Sequence, residues 1–437
     1  MASTNQSARD ANKPAPAFDL TVVGAGIIGV TCALDLQRAG YRVLVLDSQA
    51  PGHGASYGNA GHMATEQVFP VADASILVQL PKLLMDATGP LRVDWRYLPK
   101  AMPWFLKALL NLRAAPFENS VNGLRALNQN SLPAWHRLLA STGDSALLRD
   151  NGSVLVFEKE HSRAAIQALQ ARMQANDVPV DFWEPDTLAR QAPALSDQLR
   201  GALFFPATGH CVNPMQLVDA LVTAARREGV EFVRENVRSG HVTASGVALH
   251  TDQRTLTARK ALVACGAHSA PLVKALTGVR VPLDTERGYH LMLPHETGRL
   301  PFSVTSFERR FIMTPMNEGL RLAGTVEFAG LTRPPNMARA WQLETLSHRL
   351  FRQPLDATDA TPWMGFRPSL PDSLPIIDHA MDGRVLLAFG HHHLGLTQAA
   401  LTAEMITSLA ASNRSSTPGA GGGALPDFAP YRLARFA

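Results

Sequence analysis

Along the first fifty residues the chain turns apolar at Leu20–Val23, carries apolar residues at helical spacing through Gly26–Ala39, and turns apolar again at Tyr41–Leu46. That order predicts strand, helix, strand, the start of a parallel sheet. Further on, Val121, Leu124, Leu127, Leu132, Trp135, Leu138 and Leu139 recur near helical spacing, with Pro133 expected to bend or split the helix. Ser153–Phe157 and Leu203–Phe205 read as strands, and Met215–Glu228 reads as an amphipathic helix. Short alternating strands follow from Val230 to Ala264, then more over 288–326, and Met337–Leu350 predicts a helix. From Ser412 the run SNRSSTPGAGGGALP reads as a surface loop, after which DFAPYRLARF is expected to pack back on the body.

Strands and helices alternate at both ends of the chain and the middle is meander-like. The expected fold is therefore α/β, a Rossmann-like nucleotide-binding domain interleaved with a mixed-sheet α+β domain. We assign 1–17 to a flexible tail, 18–75, 201–282 and 361–437 to the nucleotide-binding domain, and 76–200 and 283–360 to the second domain with a helical segment.

Composition narrows the class. A chain of 437 residues with 46% hydrophobic and 18% charged residues has material for one large or two medium cores. The net charge of +4 is small for this length and makes no case for nucleic acid as a partner. The three cysteines, Cys32, Cys211 and Cys265, are far apart and form no C-x-x-C, so neither a disulfide framework nor a zinc site is implied. A cytoplasmic setting follows as the expectation, with no secretory leader in the polar first residues. One stretch bears on membranes: RYLPKAMPWFLKALLNLR, Arg96–Arg113, combines a wide apolar face with aromatic residues and cations. It is either a helix buried on its own protein or a peripheral contact at the inner face of the cell membrane.

The strongest chemical signal is LTVVGAGIIG, in which Gly24, Gly26 and Gly29 follow a strand and open a helix. Gly24 permits the tight turn, Gly26 lets the backbone approach a pyrophosphate, and Gly29 lets helix and strand pack closely. The helix start, Ile27 and Ile28, offers N–H groups and partial positive charge to phosphates. Asp47 ends the second strand, followed by Ser48. An acid there suits a ribose hydroxyl pair and repels a 2′-phosphate. The loop PGHGASYGNAGHM then strips the backbone of side chains around Ser56, Asn59, Ala60, Gly61 and His62, which suits close contact with an extended cofactor. No second G-x-G-x-x-G follows a strand, so electrons are expected from an organic substrate. GHHHLGLT makes a poor metal site, because consecutive side chains diverge.

VVGAGIIG…LDS, SYGNAG, ACGAHSA, GFRPSLPDSLPIID and FGHHHLGLT together resemble the D-amino-acid oxidase and dehydrogenase superfamily of FAD enzymes, over about Phe18 to Phe436. SYGNAG and RYLPKAMPWFL resemble its bacterial D-amino-acid dehydrogenase branch. ERGYHLML with the GHxHLGLT ending is similar to members that oxidise D-proline and D-hydroxyproline. The resemblance implies non-covalent FAD, a D-amino acid as substrate, and hydride transfer from Cα to the flavin N5. It also implies electron delivery to a quinone or respiratory acceptor. Arg367 matches the arginine that binds the substrate carboxylate, the alternative being an internal ion pair with Asp372 or Asp378.

Tyr289 and His290 match the strand that faces the flavin, although alternation points only one of them inward. Arg310, read as lying in the next strand, is a further carboxylate-side candidate, and His62 or His290 a candidate proton acceptor. Val237, Ala264 and Gly266 match backbone contacts to the ADP half. Gly390, His391, Leu394, Gly395, Leu396 and Thr397 match the turn that meets the flavin's pyrimidine edge. His392 stands where the family generally has glycine, so a positive φ there would strain it. It is the histidine expected to point away from the substrate. The competing functions are a glycine or sarcosine oxidase using O2, an NAD-dependent dehydrogenase, and a non-catalytic FAD-binding subunit.

Overall fold

The computed structural model describes residues 18–71, 91–411 and 424–437. The expected tail over 1–17, most of the loop beginning at Ser412, and residues 72–90 lie outside them. Phe18–Val23, Ile27–Arg38 and Val43–Asp47 form the expected strand–helix–strand unit, and the two strands run parallel with Leu20 beside Val43 and Val23 beside Leu46. Parallel strands need a crossover, which the helix supplies. Their near-continuous burial matches a sheet covered on both faces.

Glu231–Arg234 extends this sheet beyond Val43–Asp47, and Thr255–Val263 lies parallel on the other side of Phe18–Val23. Val385–Phe389 pairs parallel with the end of Thr255–Val263, so strands far apart in sequence complete one sheet. Val237–Thr243 and Gly246–Thr251 add an antiparallel edge. One core cluster joins this sheet to the helices Ile27–Arg38, Ala114–Thr142, Pro214–Arg227 and Gly395–Ala411.

In the second sheet Thr361–Ser369, Asp284–Leu293, Gly319–Phe328, Phe311–Met316 and Ser303–Ser306 lie side by side and antiparallel. Ser153–Phe157, Gly201–Phe205 and Asp181–Trp183 continue it. Two expected boundaries therefore move. Gly201–Phe205 pairs with Ser153–Phe157, and Thr361–Ser369 pairs with Asp284–Met292, so both strands belong to the second domain. Alternation marks a strand but does not name its neighbour. Helix Ala114–Thr142 departs from its expected place too: Leu124, Leu127, Trp135 and Leu138 pack in the nucleotide-binding core.

That helix also runs unbroken through Pro133. Proline inside a helix costs about 3 kcal/mol, whereas burying each large apolar side chain contributes about 1.5–3 kcal/mol. Trp135, Leu138 and Leu139 beyond the proline are all buried, so packing prevails. Arg96–Arg113 contains a helix, Leu98–Leu110. Trp104 anchors it, packing on Phe328 and donating from its indole to the Ser369 carbonyl at 3.1 Å. Its other side leaves Met102, Leu106, Leu109 and Leu110 exposed.

Candidate active site

At the first turn Gly24 has φ +110°, and a Cβ there would sit 2.3 Å from the Ala264 carbonyl oxygen. A Cβ on Gly29 would sit 1.9 Å from the Gly24 oxygen. Both positions exclude any other residue through protein packing alone. Gly26 is different. Its backbone is ordinary, and a Cβ would meet only the Ser56 hydroxyl at 3.3 Å. The space it keeps clear lies outside the protein's own packing, at the positive end of the Ile27–Arg38 helix.

Ser56 Oγ accepts from the Ile27 N–H at 2.9 Å, and Asp47 accepts from the Ala25 and Gln49 N–H groups at 2.7 and 2.8 Å. A carboxylate offers about four acceptor positions, so Asp47 retains capacity for a ribose. Cleared backbone, helix start and terminal acid fit the ADP part of FAD. Ser48 is tied in by its carbonyl, which accepts from Arg234 at 3.1 Å. Val237 opens the next strand, half-buried, and Ala264 donates to the Val23 carbonyl at 2.8 Å. Gly266 turns the chain at φ +54°. The neighbouring Cys265 thiol is bonded to the Val23 carbonyl and pushed up to about 12 by burial, so it is packed rather than reactive.

The glycine-rich loop is pinned to the second sheet. Asn59 bonds the Gly61 N–H with its side chain at 2.8 Å, and its carbonyl accepts from buried Arg321 at 2.6 Å. Ala60 lies half-buried between them. The Gly61 carbonyl accepts from Cys211. His62 is buried, with Nε2 on Glu66 at 2.9 Å and Nδ1 on the Gly209 carbonyl at 3.2 Å. Burial alone would lower its pKa, but the Glu66 charge and these bonds raise it. Both ring nitrogens are engaged, so His62 is tied to Glu66 and Gly209 rather than left as an open proton acceptor.

On the second sheet, Glu286, Gly288 and His290 alternate onto the face turned toward the first domain, and directly opposite stand Arg367, Gly365 and Trp363. His290 bonds the Gly58 carbonyl at 2.9 Å and stacks on Trp363. Tyr289 takes the opposite face, where it donates to Glu327 at 2.6 Å. Alternation thus admits His290 and turns Tyr289 away.

Arg367 reaches back over Gly288, where a Cβ would lie 2.3 Å from its guanidinium carbon. It donates to the Thr325 carbonyl at 3.1 Å. That carbonyl is aimed by a bulge opposite Gly288, and Thr325 itself has φ +59°. A β-branched residue in this conformation stores strain, and such bulges re-aim groups at sites. Asp372 and Asp378 are not its partners: they bond Arg435 at 2.7 Å and the Leu433 N–H at 2.7 Å. The acid facing Arg367 is Glu286. Arg310, expected in a strand, lies instead in an exposed turn at φ +56° before Phe311–Met316.

The three histidines divide. His391 is buried against the Thr402 hydroxyl at 3.1 Å, and desolvation lowers its pKa to about 3. His392 carries φ +52°. It is held in that strained conformation by Leu370, 2.9 Å from Nε2, and by the Ser369 hydroxyl, 3.2 Å from Nδ1. Its ring lies 3.6 Å from Glu286, behind Arg367. His393 bonds Gln67 and is kept neutral, near 3, first by burial and then by the Arg367 charge.

Gly390 turns at φ +85°, Leu394 bonds back to the His391 carbonyl, and helix Gly395–Ala411 starts there. Thr397 accepts from the Ala64 N–H at 3.0 Å, and the Leu396 and Thr397 carbonyls accept from Trp135 at 2.9 and 3.1 Å. The start of this helix is thus locked to the loop that follows the dinucleotide turn. Among the described residues no group of three or more His, Cys, Asp or Glu is placed to hold a metal ion. Glu286, Gly288, Trp363 and Gly365 share the face of Arg367 and His290 and are candidates that the sequence did not single out. The paired glycines in ERGYH and MGFRP were a signal for an open patch of sheet.

A family model described as FAD dependent oxidoreductase, DAO for short, matches residues 19–409. A "D-amino-acid oxidase" of Bradyrhizobium diazoefficiens is 34% identical over 427 residues, spanning 95% of this chain and 98% of that protein. A "D-amino acid dehydrogenase" of Rhizorhabdus wittichii is 28% identical, spanning 90% of this chain and 96% of its own length. Among solved structures, glycine oxidase from Geobacillus kaustophilus is similar, with TM-score 0.69 at 21% identity, covering 96% of this chain and 98% of that one. The last likeness shows the fold, a nucleotide-binding domain interleaved with a mixed-sheet domain.

Proposed function

Because the chain belongs to the DAO family of FAD-dependent oxidoreductases, we propose that it oxidises a D-amino acid at Cα. D-proline or a hydroxy-D-proline is the favoured candidate, and a quinone or another respiratory acceptor takes the electrons. The observation that carries this reading is Arg367, lying over Gly288 on the sheet face that meets the glycine-rich loop at Gly58. Two parallel hydrogen bonds from a planar guanidinium to a carboxylate fix the position of Cα. The names of the similar proteins support an amino acid of D configuration.

Bound FAD supplies the hydride acceptor. Gly24, Gly26, Gly29, Asp47 and Ser56 would hold its ADP half, and the helix beginning at Gly395 would direct its positive end at the flavin, where it favours negative charge. The chain's own task is then to bind, orient and desolvate the substrate. His290 suits that task, since burial lowers its pKa to about 3 and leaves it neutral. A positioned Cα–H and a neutral amine need no strong base.

The test is a panel of D- and L-amino acids added anaerobically to the yellow protein. D-proline and cis-4-hydroxy-D-proline are expected to bleach the flavin band near about 450 nm. Bleaching by L-isomers alone would overturn the stereochemical part. The similar proteins bear both oxidase and dehydrogenase names, so O2 is the second acceptor to test. Stoichiometric peroxide in air would favour it over quinone.

For a membrane-bound acceptor the helix Leu98–Leu110 is the candidate contact. Its exposed Met102, Leu106, Leu109 and Leu110, with Trp95 just before, carry no acidic residue between Trp95 and Arg113, and Lys100, Lys107 and Arg113 flank them. Such a surface suits an anionic bilayer interface. No helix among the described residues is long and apolar enough to cross a membrane. The protein is expected to sediment with phosphatidylglycerol vesicles at low salt and much less with phosphatidylcholine. Leu106→Glu with Leu110→Glu should abolish binding while flavin content holds. Equal partition to both lipids would remove this role.

A further inference from the structure

Gly288 and Gly365 face each other directly across neighbouring strands. Opposed Cβ positions of such a pair stand about 4.5–5.5 Å apart. A Cβ on Gly288 would meet the Arg367 guanidinium carbon at 2.3 Å, and one on Gly365 would meet the Trp363 Cη2 at 2.0 Å. The guanidinium and the indole edge therefore lie over adjoining bare positions, about one residue spacing apart. A carboxylate held by Arg367 would therefore sit beside the indole, with its α-substituent in reach of it.

Trp363 cannot draw back. A Cβ on Gly58 would lie 2.1 Å from its ring, so the loop presses on it directly. His290 stacks against it with centroids 5.0 Å apart and planes 20° apart, and Tyr57 stands 6.5 Å away. An indole clamped between a strand and a loop is a rigid apolar surface that loses little entropy when a ligand covers it.

We propose that Trp363 is the wall against which the substrate's side chain packs, selecting D-amino acids with ring or other bulky apolar substituents over small and charged ones. This rests on Arg367 holding the carboxylate. The electrostatics agree. Arg367 and the buried Arg321, whose charge acts on His290, oppose a cationic substituent, while an acidic one would lose hydration against the indole.

Two variants test it. Trp363→Ala should lower kcat/KM for D-proline at least tenfold more than for D-alanine, and Trp363→Phe should restore most of the difference. Gly365→Ala keeps the tryptophan but forces its ring aside, and should shift the same ratio in the same direction. A separate arm uses non-reacting acids read by perturbation of the flavin spectrum. Wild type should bind cyclopentanecarboxylate at least tenfold more tightly than acetate, and Trp363→Ala should erase that preference. Flavin content and Tm are recorded for each variant, so that loss of fold is not counted as loss of selectivity.

If no D-amino acid reduces the wild-type flavin, the proposed reaction fails, yet the binding arm still judges the wall. Unchanged ratios and unchanged carboxylate preference in folded, flavin-loaded Trp363→Ala and Gly365→Ala would overturn the wall while leaving the reaction intact.

Discussion

Arg367→Ala is expected to lower kcat/KM for the amino-acid substrate by roughly 100-fold or more. Truncating one partner of a desolvated charge pair costs about 2–5 kcal/mol, and each 1.36 kcal/mol is about tenfold in rate. The guanidinium is part-buried, spans the bare Gly288 and is steadied by the Thr325 carbonyl. Arg367→Lys should recover only part of the loss, because an ammonium cannot make two parallel bonds in one plane. Near-normal kinetics in a flavin-loaded Arg367→Ala protein would remove the residue from the site.

Glu286→Ala is expected to cost stability first. The carboxylate is 2% exposed, accepts from the Ser369 hydroxyl at 2.6 Å and lies 3.6 Å from the His392 ring. Burial alone would raise its pKa, but the adjacent His392 ring, the Ser369 hydrogen bond and the Arg367 charge together depress it to about 2. Breaking such a network leaves buried charges uncompensated, at about 3–5 kcal/mol. Because the folded pKa lies below the ordinary 4.5, the carboxylate's contribution is full above pH 4.5 and is lost as pH falls toward 2. Thermal melts across that window should show a steep acid limb in wild type and a flatter one in Glu286→Gln. Superimposable curves would show that Glu286 is not charged in the fold.

What the sequence discloses about this site is what is decided locally. The dinucleotide turn is legible because the positive φ of Gly24 and the approach of Gly29 to the Gly24 oxygen are decided within one short motif. His392 is legible as a strained position, since a positive φ penalises any residue with a Cβ, and its φ of +52° bears that out. Alternation shows that one of Tyr289 and His290 must face the site without showing which. The acid beside Arg367 is not legible at all. Asp372 and Asp378 are nearer in sequence, but the register of two antiparallel strands delivers Glu286 instead, and register answers to the packing of the whole sheet. The same reason moves Gly201–Phe205 and Thr361–Ser369 into the second domain, and hides the bare Gly288–Gly365 patch until the strands are paired.

The interleaved first sheet has a consequence in time. Val23 meets Cys265, 242 residues further on, and Tyr41 bonds a carbonyl 369 residues away. At a synthesis rate of about 5–20 residues per second, the strand bearing the dinucleotide turn, already beside Val43–Asp47, waits roughly 10–50 s on the ribosome for its second neighbour, Thr255–Val263. It waits longer still for the partners supplied by the C-terminal helix. A nascent chain released before Val385–Phe389 emerges would carry the whole glycine motif and have no finished sheet to hold it, so cofactor loading is expected to come last in biogenesis.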